Sequence, residues 1–420
     1  MRSSCLTILA LVWGAAGTGW IGPTAADDIS VIRATRIHPA PDAAPIDDAV
    51  VVIRDGRIAA VGPRRQIQVP SGARPIQCAP GVVLAGFQNS HVHFIETRWE
   101  KAAEKPAAEL AVGLTEMLTR YGFTTVLDTA SNPDDTLALR RRIESGEIAG
   151  PRILTAGLPL YPHNGIPIYL RDLPPEFLAR QPQPATVEEA VQVVRTNLDA
   201  GADATKLFVA TPQGNGKVMY MSREIAAAAV QATHARQRLV IAHPTDNEGI
   251  RVAIDSGVDV LAHTTIDEIP AIWSPQQIQD MVTHRLALVP TLKLWPYEAH
   301  KAKLPSRVVD LGLGDVVRQV RDFAAAGGQV LFGTDVGYMS DYDPTDEYIY
   351  MSRALTPAQI LASLTTAPAD RWQESDRRGR VAPGMQADLV VLSADPMSDV
   401  RHFADVRCTL RQGRVIYSRP

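Results

Sequence analysis

Residues 82–94 read VVLAGFQNSHVHF. An apolar run from Val82 to Leu84 has the look of a buried strand, and it passes through Gln88-Asn89-Ser90 into His91-Val92-His93. Side chains on a strand alternate faces, so both imidazoles point the same way. Their Cβ atoms would lie roughly 7 Å apart. From there both rings could reach one metal ion at about 2 Å. A pair of hydrogen-bonded or solvated histidines would look the same, so the rest of the chain has to decide.

Working outward, seven more short apolar runs follow: FTTVLDT (123–129), RILTAG (152–157), ATKLFVA (204–210), RLVIAH (238–243), VDVLAHT (258–264), LALVPTL (286–292) and QVLFGTD (329–335). Amphipathic stretches separate them. VEEAVQVVRTNLDAG (187–201) ends on Gly201 in C-cap position. SREIAAAAVQATHARQ (222–237) starts on Ser222, a good N-cap. Strand–helix alternation implies parallel strands with right-handed crossovers, and eight units fit an α/β fold of the (β/α)8 TIM barrel type. The rival, an open doubly wound sheet, would want a Gly-rich phosphate turn after its first strand, and none is present.

Both termini differ from this middle. VVVIRDGRIAAVG carries two β-branched runs around Asp55-Gly56, a hairpin signal because both turn residues tolerate positive φ. ADLVVLSADP and LRQGRVIYS repeat the turn-and-strand character near the other end. One small sheet built from both ends is expected, from residues 27–84 and 380–420, with the barrel over 85–379. Residues 1–26 read as a signal peptide: Arg2, a short apolar stretch from Leu6 to Ala16, then small residues at Thr24-Ala25-Ala26. The run is too short to span a membrane. Export to the periplasm or the medium is expected, with no membrane attachment after cleavage. Of the cysteines that remain, Cys78 and Cys408 could pair or could be two small buried hydrophobes.

Composition is that of a globular protein, 45% hydrophobic and 21% charged, with a formal net charge of -4. That balance argues against nucleic acid and anionic membranes as partners. A small-molecule substrate is expected, and a homo-oligomer is compatible.

Chemistry in such a barrel collects at the C-terminal strand ends. His243 closes the fifth run, His263 the sixth and Asp335 the eighth. Any one of them could be a core residue or a helix cap. With His91 and His93 they make four imidazoles and a carboxylate at one end of four strands. That set suits zinc, and other first-row metals bind it too. Lys206 sits inside an apolar strand, where an ammonium costs several kcal/mol unless paired. Asp128 at the end of the second strand could pair with it. Alternatively burial and nearby cations lower its pKa. The neutral amine can then take up carbon dioxide, and the carbamate can bridge two metals.

Taken together, His-x-His on strand one, Lys on four, His on five and six and Asp on eight resembles the amidohydrolase superfamily, in its imidazolonepropionase-like and prolidase-like branch. AGFQNSHVHF, GADATKLF, VIAHPTDNEGI, GVDVLAHTT, LVPTLKLW, LFGTDVGY, ILASLTTAPA and GRVAPGMQADLVVL carry the likeness, from about residue 30 to the C-terminus. It implies a composite β-sandwich from the two termini, with Cys78 and Cys408 in or beside it. It also implies one metal on His91, His93 and Asp335, another on His243 and His263, and carboxylated Lys206 between them. A hydroxide bridging the ions would attack a carbonyl carbon, with Asp335 shuttling its proton to the leaving nitrogen. One departure is Asn89, where the family often has aspartate. It should affect the support of the ligands and leave ligation intact.

The substrate must be read from loops. LPLYPHNGIPIYLRDLPPEF, after strand three, offers Tyr161, His163 and Tyr169 as pocket residues, and Tyr338 follows strand eight. TPQGNGKVMYM, after strand four, is Gly-rich and expected to be a mobile loop. Asp341, Asp343, Asp346 and Glu347 could hold a substrate amine or form a solvated acidic loop. Hydrolysis of a dipeptide or an N-acyl amino acid is the first expectation, and export favours it. Opening of a cyclic amide, an imidazolone or lactam, is the second. A metal-holding binding protein without turnover is the third, disfavoured because it would not need Asp335 as a base.

Overall fold

The computed structural model describes residues 28–78, 80–266 and 270–419. The signal segment expected over 1–26 lies outside the described residues. No helix among them is long and apolar enough to cross a membrane.

Eight parallel strands form the barrel. Phe87–Val92, Phe123–Asp128 and Arg152–Thr155 make one sheet, strands one to three. Ala204–Phe208, Leu239–His243, Val260–Ala262, Ala287–Val289 and Gln329–Val330 make another, strands four to eight. Backbone hydrogen bonds join the two sheets at both edges. Leu160 bridges Leu207: its N donates to Lys206 O at 2.9 Å, and its carbonyl accepts from Phe208 N at 2.8 Å. Val92 bridges Val336, and Ser90 N donates to Phe332 O at 2.7 Å. The ring therefore closes, and the expected order holds.

Strand eight is shorter than the 329–335 run suggests. After Val330 the chain crosses toward strand one: Asp335 N donates to His91 O at 2.9 Å, and Asp335 has φ 60°. Its glycines allow this crossing. A Cβ on Gly337 would sit 1.9 Å from His93 O.

Alternation explains the uninterrupted apolar runs, because both faces of each strand are buried. Leu127, Leu154, Ala204, Ile241, Val260 and Val289 fill the barrel interior. Val126, Ile153, Leu207, Val240, Leu261 and Leu288 face the surrounding helices. The helices begin and end as their sequences indicate. Ser222 Oγ accepts from Ile225 N, and Gly201 ends its helix at φ 109°.

Both termini feed one continuous sheet of eight strands, in the order Arg414–Ser418, Val406–Arg411, Leu389–Leu392, Val82–Ala85, Ile29–Ile37, Ile46–Arg54, Arg57–Pro63, with Arg74–Pro75 beside Ile29–Ile37. It curls around its own core. Val83, Ala85, Leu389 and Val391 point into that core. Their neighbours Val82, Leu84, Val390 and Leu392 pack on the barrel. Asp55 and Gly56 turn the expected hairpin at φ 49° and 73°. Cys78 and Cys408 form a disulfide, closing a sequence separation of 330 residues.

The segment expected to be a mobile Gly-rich loop is an antiparallel hairpin, Ala210–Gly214 with Lys217–Tyr220. Asn215 and Gly216 turn it at φ 52° and 71°. That Asn-Gly pair is a hairpin signal readable in the sequence, and it was missed there.

Candidate active site

Strand geometry decides where the polar side chains go. Lys206 and Phe208 lie two and four residues from Ala204, which points into the barrel, so they share its face. His243 is two residues beyond inward-facing Ile241 and is paired in register with Phe208. His91 and His93 end strand one. His263 follows strand six and Asp335 follows strand eight, at φ 75° and 60°. Non-glycine residues rarely adopt that conformation, and it is common at functional sites.

These residues meet at the C-terminal end of the barrel. Asp335 Oδ1 is 3.3 Å from His91 Nε2 and 2.9 Å from His93 Nε2. The three side chains offer ligand atoms all within 4.8 Å of one another. The rings continue as a chain: His93 to His91 at 5.1 Å between centroids, His91 to His263 at 4.7 Å, His263 to His243 at 4.9 Å. His243 stacks on Phe208, and the Lys206 ammonium lies 5.2 Å over the same Phe208 ring. The six predicted donors thus come together.

Hydrogen bonds set the tautomers. His93 Nδ1 donates to Ala130 O at 3.1 Å, and its Nε2 faces Asp335 Oδ1 at 2.9 Å. Thr291 Oγ1 gives its proton to Pro290 O at 2.9 Å, so it must accept from His263 Nδ1, 2.6 Å away. The Nε2 of His263 is therefore a lone-pair donor. Burial, reinforced by Lys206, lowers the His91 and His243 rings to about 3, and His263 is pushed the same way. Burial works to raise the Asp335 carboxyl, but the imidazoles around it hold it well below the usual carboxylate range. Neutral imidazoles with an anionic carboxylate are the protonation states a divalent cation requires.

The donors fit such an ion in a second respect. Asp335 Oδ1, which faces His91 Nε2 and His93 Nε2, is buried and lacks an aligned hydrogen bond among the described residues. Buried polar atoms are rarely left so. Lys206 is buried, and burial lowers its amine to about 8 against the opposing pull of Asp335 and Asp128. Asp128 does not pair with it. That carboxylate accepts instead from Ser131 Oγ at 2.5 Å and Thr155 Oγ1 at 2.8 Å. An amine that gives up its proton more readily than an exposed lysine, beside imidazoles, fits the carbamate chemistry expected of this position.

Asn89 supports the ligands. Its Nδ2 donates to Thr334 Oγ1 at 2.7 Å, and its Oδ1 accepts from His91 N at 3.2 Å. It thereby ties the residue before Asp335 to the backbone of His91.

The loop residues behave unequally. Tyr161 is buried and stacks on Phe208 at 4.6 Å. Tyr169 is 40% exposed and lies edge-on to Tyr338 at 6.1 Å. Tyr338 donates to Glu298 at 2.8 Å. His163 is exposed and bonds the Gln183 carbonyl, and no contact among the described residues joins it to the donor cluster. The acidic loop is only partly solvated. Asp343 and Asp346 are exposed, but Glu347 is fully buried, and Asp341 pairs with Lys293 at 2.7 Å. Thr291, Phe208 and the Glu347–Lys293 contacts were not foreseen, since nothing in their local sequence marks them.

Known proteins resemble this chain in sequence and fold. Ochratoxinase of Aspergillus niger is 22% identical over 425 residues, spanning 90% of this chain and 84% of the relative. Its crystal structure superposes with a TM-score of 0.75 at 21% identity, covering 93% of this chain and 96% of that one. A Xaa-Pro dipeptidase with bound methionine in the active site gives 0.75 at 23% identity, over 93% of this chain and all of that one. Phenylurea hydrolase B gives 0.73 at 21%, over 92% and 96%. The sequence matches the amidohydrolase family across residues 82–416. With that match over most of its length, on a barrel whose strand ends carry the expected donors, the chain belongs to the amidohydrolase family.

Proposed function

We propose that this protein hydrolyses the carbon–nitrogen bond of a dipeptide or an N-acyl amino acid, using two divalent metal ions, zinc being the best match to the donors. His91, His93 and Asp335 would hold one ion, His243 and His263 the other, with carboxylated Lys206 between them. The observation that carries this reading is the convergence of those six side chains on one end of one barrel, with burial favouring the neutral rings of His91, His243 and His263. Ions bound there would supply an activated water and polarise a carbonyl oxygen.

The chain's own groups do the rest. Asp335 is an anion and so can accept the proton of the attacking water at its carboxylate. Returning that proton to the leaving nitrogen completes hydrolysis, since an amide nitrogen leaves poorly unless protonated. Tyr161 and Phe208 form an apolar wall beside Lys206 that limits water around it. Tyr169 and Tyr338 offer ring faces at the loops above, suited to an apolar group on the substrate. The dipeptidase neighbour, by its name, favours a linear amide. Export to the periplasm or the medium belongs to the same proposal and fits scavenging of such compounds.

Elemental analysis of the purified protein should find about two divalent ions per chain; one or none would count against the bridged pair. A screen of dipeptides, N-acyl amino acids, lactams and aryl esters should give turnover on the first two classes. Turnover on lactams alone would shift the assignment to cyclic amides, and turnover on none would remove the hydrolase reading.

A further inference from the structure

Two segments meet above the donor cluster, and their contacts run in both directions. From the first turn of the helix Thr345–Met351, after strand eight, Glu347 is fully buried, its two carboxylate oxygens accepting from Leu292 N at 2.9 Å and Lys293 N at 2.8 Å. From the turn after strand seven, Lys293 donates to Asp343 O at 2.6 Å and pairs with the Asp341 carboxylate at 2.7 Å. Each segment therefore supplies a charged group to the other's backbone. A carboxylate taking two backbone N–H groups is acceptor-only and leaves the peptide little freedom.

What this arrangement holds is Thr291. It immediately precedes the two clamped amides and has φ 45°, an uncommon conformation for a β-branched residue. Such a conformation persists only where the surroundings over-determine it. Thr291 Oγ1 receives the His263 Nδ1 proton at 2.6 Å while giving its own to Pro290 O. Its position thus fixes both the tautomer and the rotation of the His263 ring. The other side of the clamp follows Asp335 by a few residues. We propose that Glu347 and Lys293 form a clasp whose task is to set the His263 ring, through Thr291, for the second metal ion. Glu347 is a positioning residue in this account, since it reaches the ring only through Leu292, Thr291 and the Thr291 hydroxyl. The inference rests on the two-ion reading above.

The test is zinc titration of the chelator-stripped full chain, followed by calorimetry and elemental analysis. Glu347→Gln keeps the shape but turns an amide NH2 toward one of the backbone donors. Thr291→Val removes the acceptor of the His263 proton, and Thr291→Ser retains it. The wild type should take up two zinc ions. Glu347→Gln and Thr291→Val should keep the first and bind the second about 10–100-fold more weakly, the usual effect of losing a group that orients a metal-binding histidine. Thr291→Ser should bind both. Binding of the second zinc at wild-type affinity by both Glu347→Gln and Thr291→Val would overturn the clasp, even if their melting temperatures fall. Should Glu347→Gln fail to fold, the contrast between Thr291→Val and Thr291→Ser decides alone. A wild type that binds fewer than two zinc ions would overturn the two-ion reading and the clasp together. A wild type that binds two, with unaltered variants, would overturn the clasp only.

Discussion

At strands one and eight the candidate ligands touch one another. Asp335 Oδ1 lies 2.9 Å from His93 Nε2 and 3.3 Å from His91 Nε2. At strands four to six they meet through ring contacts instead, with no carboxylate at hydrogen-bonding distance among the described residues. His243 and His263 are 4.9 Å apart between ring centres, and the Lys206 ammonium lies over the Phe208 ring. The first group is drawn together by backbone: Gly337 lets the eighth segment lie against His93, and Asp335 N bonds His91 O directly. The second group is held from outside, by Thr291 on His263 and by Phe208 beneath His243. One half of the site is thus set by main-chain closure of the barrel. The other depends on side chains contributed by neighbouring turns, and on a lysine whose ligand form requires a chemical modification.

The largest effect should come from the modified lysine. Lys206→Met should lower turnover by about a thousandfold or more, since a lost metal bridge forfeits several kcal/mol of transition-state stabilisation. Added bicarbonate should not restore it. Lys206→Ala with a short-chain carboxylic acid should recover part of the activity; full activity of Lys206→Ala alone would abolish the distinction between the two halves.

Asn89→Leu perturbs the other half. It breaks the link from Thr334 to His91, and should cost about 10–100-fold in affinity for the first ion with little change at the second. Zinc titration reads this directly, and equal losses at both ions would mean that the halves are not separately supported.

Glu347 should show itself in the pH dependence of stability. Burial raises its carboxyl to about 7, against the backbone N–H groups of Lys293 and Leu292, which pull it down. The folded state therefore holds this proton more tightly than the unfolded chain. The stability it contributes is present below the unfolded value and falls as pH rises from roughly 4.5 toward 7, by about 3 kcal/mol at most. Urea unfolding at several pH values should show that slope in the wild type and not in Glu347→Gln. Identical slopes would mean that the carboxyl is not confined as described.

The smallest effect on the site should follow from cutting the disulfide. Cys78→Ser should destabilise the protein by about 2–5 kcal/mol while leaving kcat/KM unchanged below the unfolding transition. A fall in kcat/KM at low temperature would show that the terminal sheet reaches the site after all.

Much of this was legible from the chain. Eight apolar runs with amphipathic stretches between them gave the barrel, because a strand buried on both faces reads as uninterrupted apolar sequence. Asp55-Gly56, Ser222 and Gly201 marked their turn and caps through local backbone requirements. The six donors were legible because each ends or interrupts such a run with a residue that an apolar interior would not accept. Asn215-Gly216 could have been read and was not. Glu347 was read as one of a group of loop acids, because an isolated sequence does not say which carboxylate the fold will cover.

By itself, then, the sequence determined the barrel, the sheet from both termini and the identity of the six metal-binding candidates, since these depend on periodicity and on residues whose burial would otherwise be costly. Only the tertiary structure decided that Cys78 meets Cys408, that Thr291 orients His263, that Asp128 bonds Ser131 and Thr155 rather than Lys206, and that Glu347 and Lys293 bind two segments together. Those contacts join residues far apart in the chain or hidden within ordinary loop text. Their partners are fixed by how the strands close into a ring, and no local pattern of polarity carries that information.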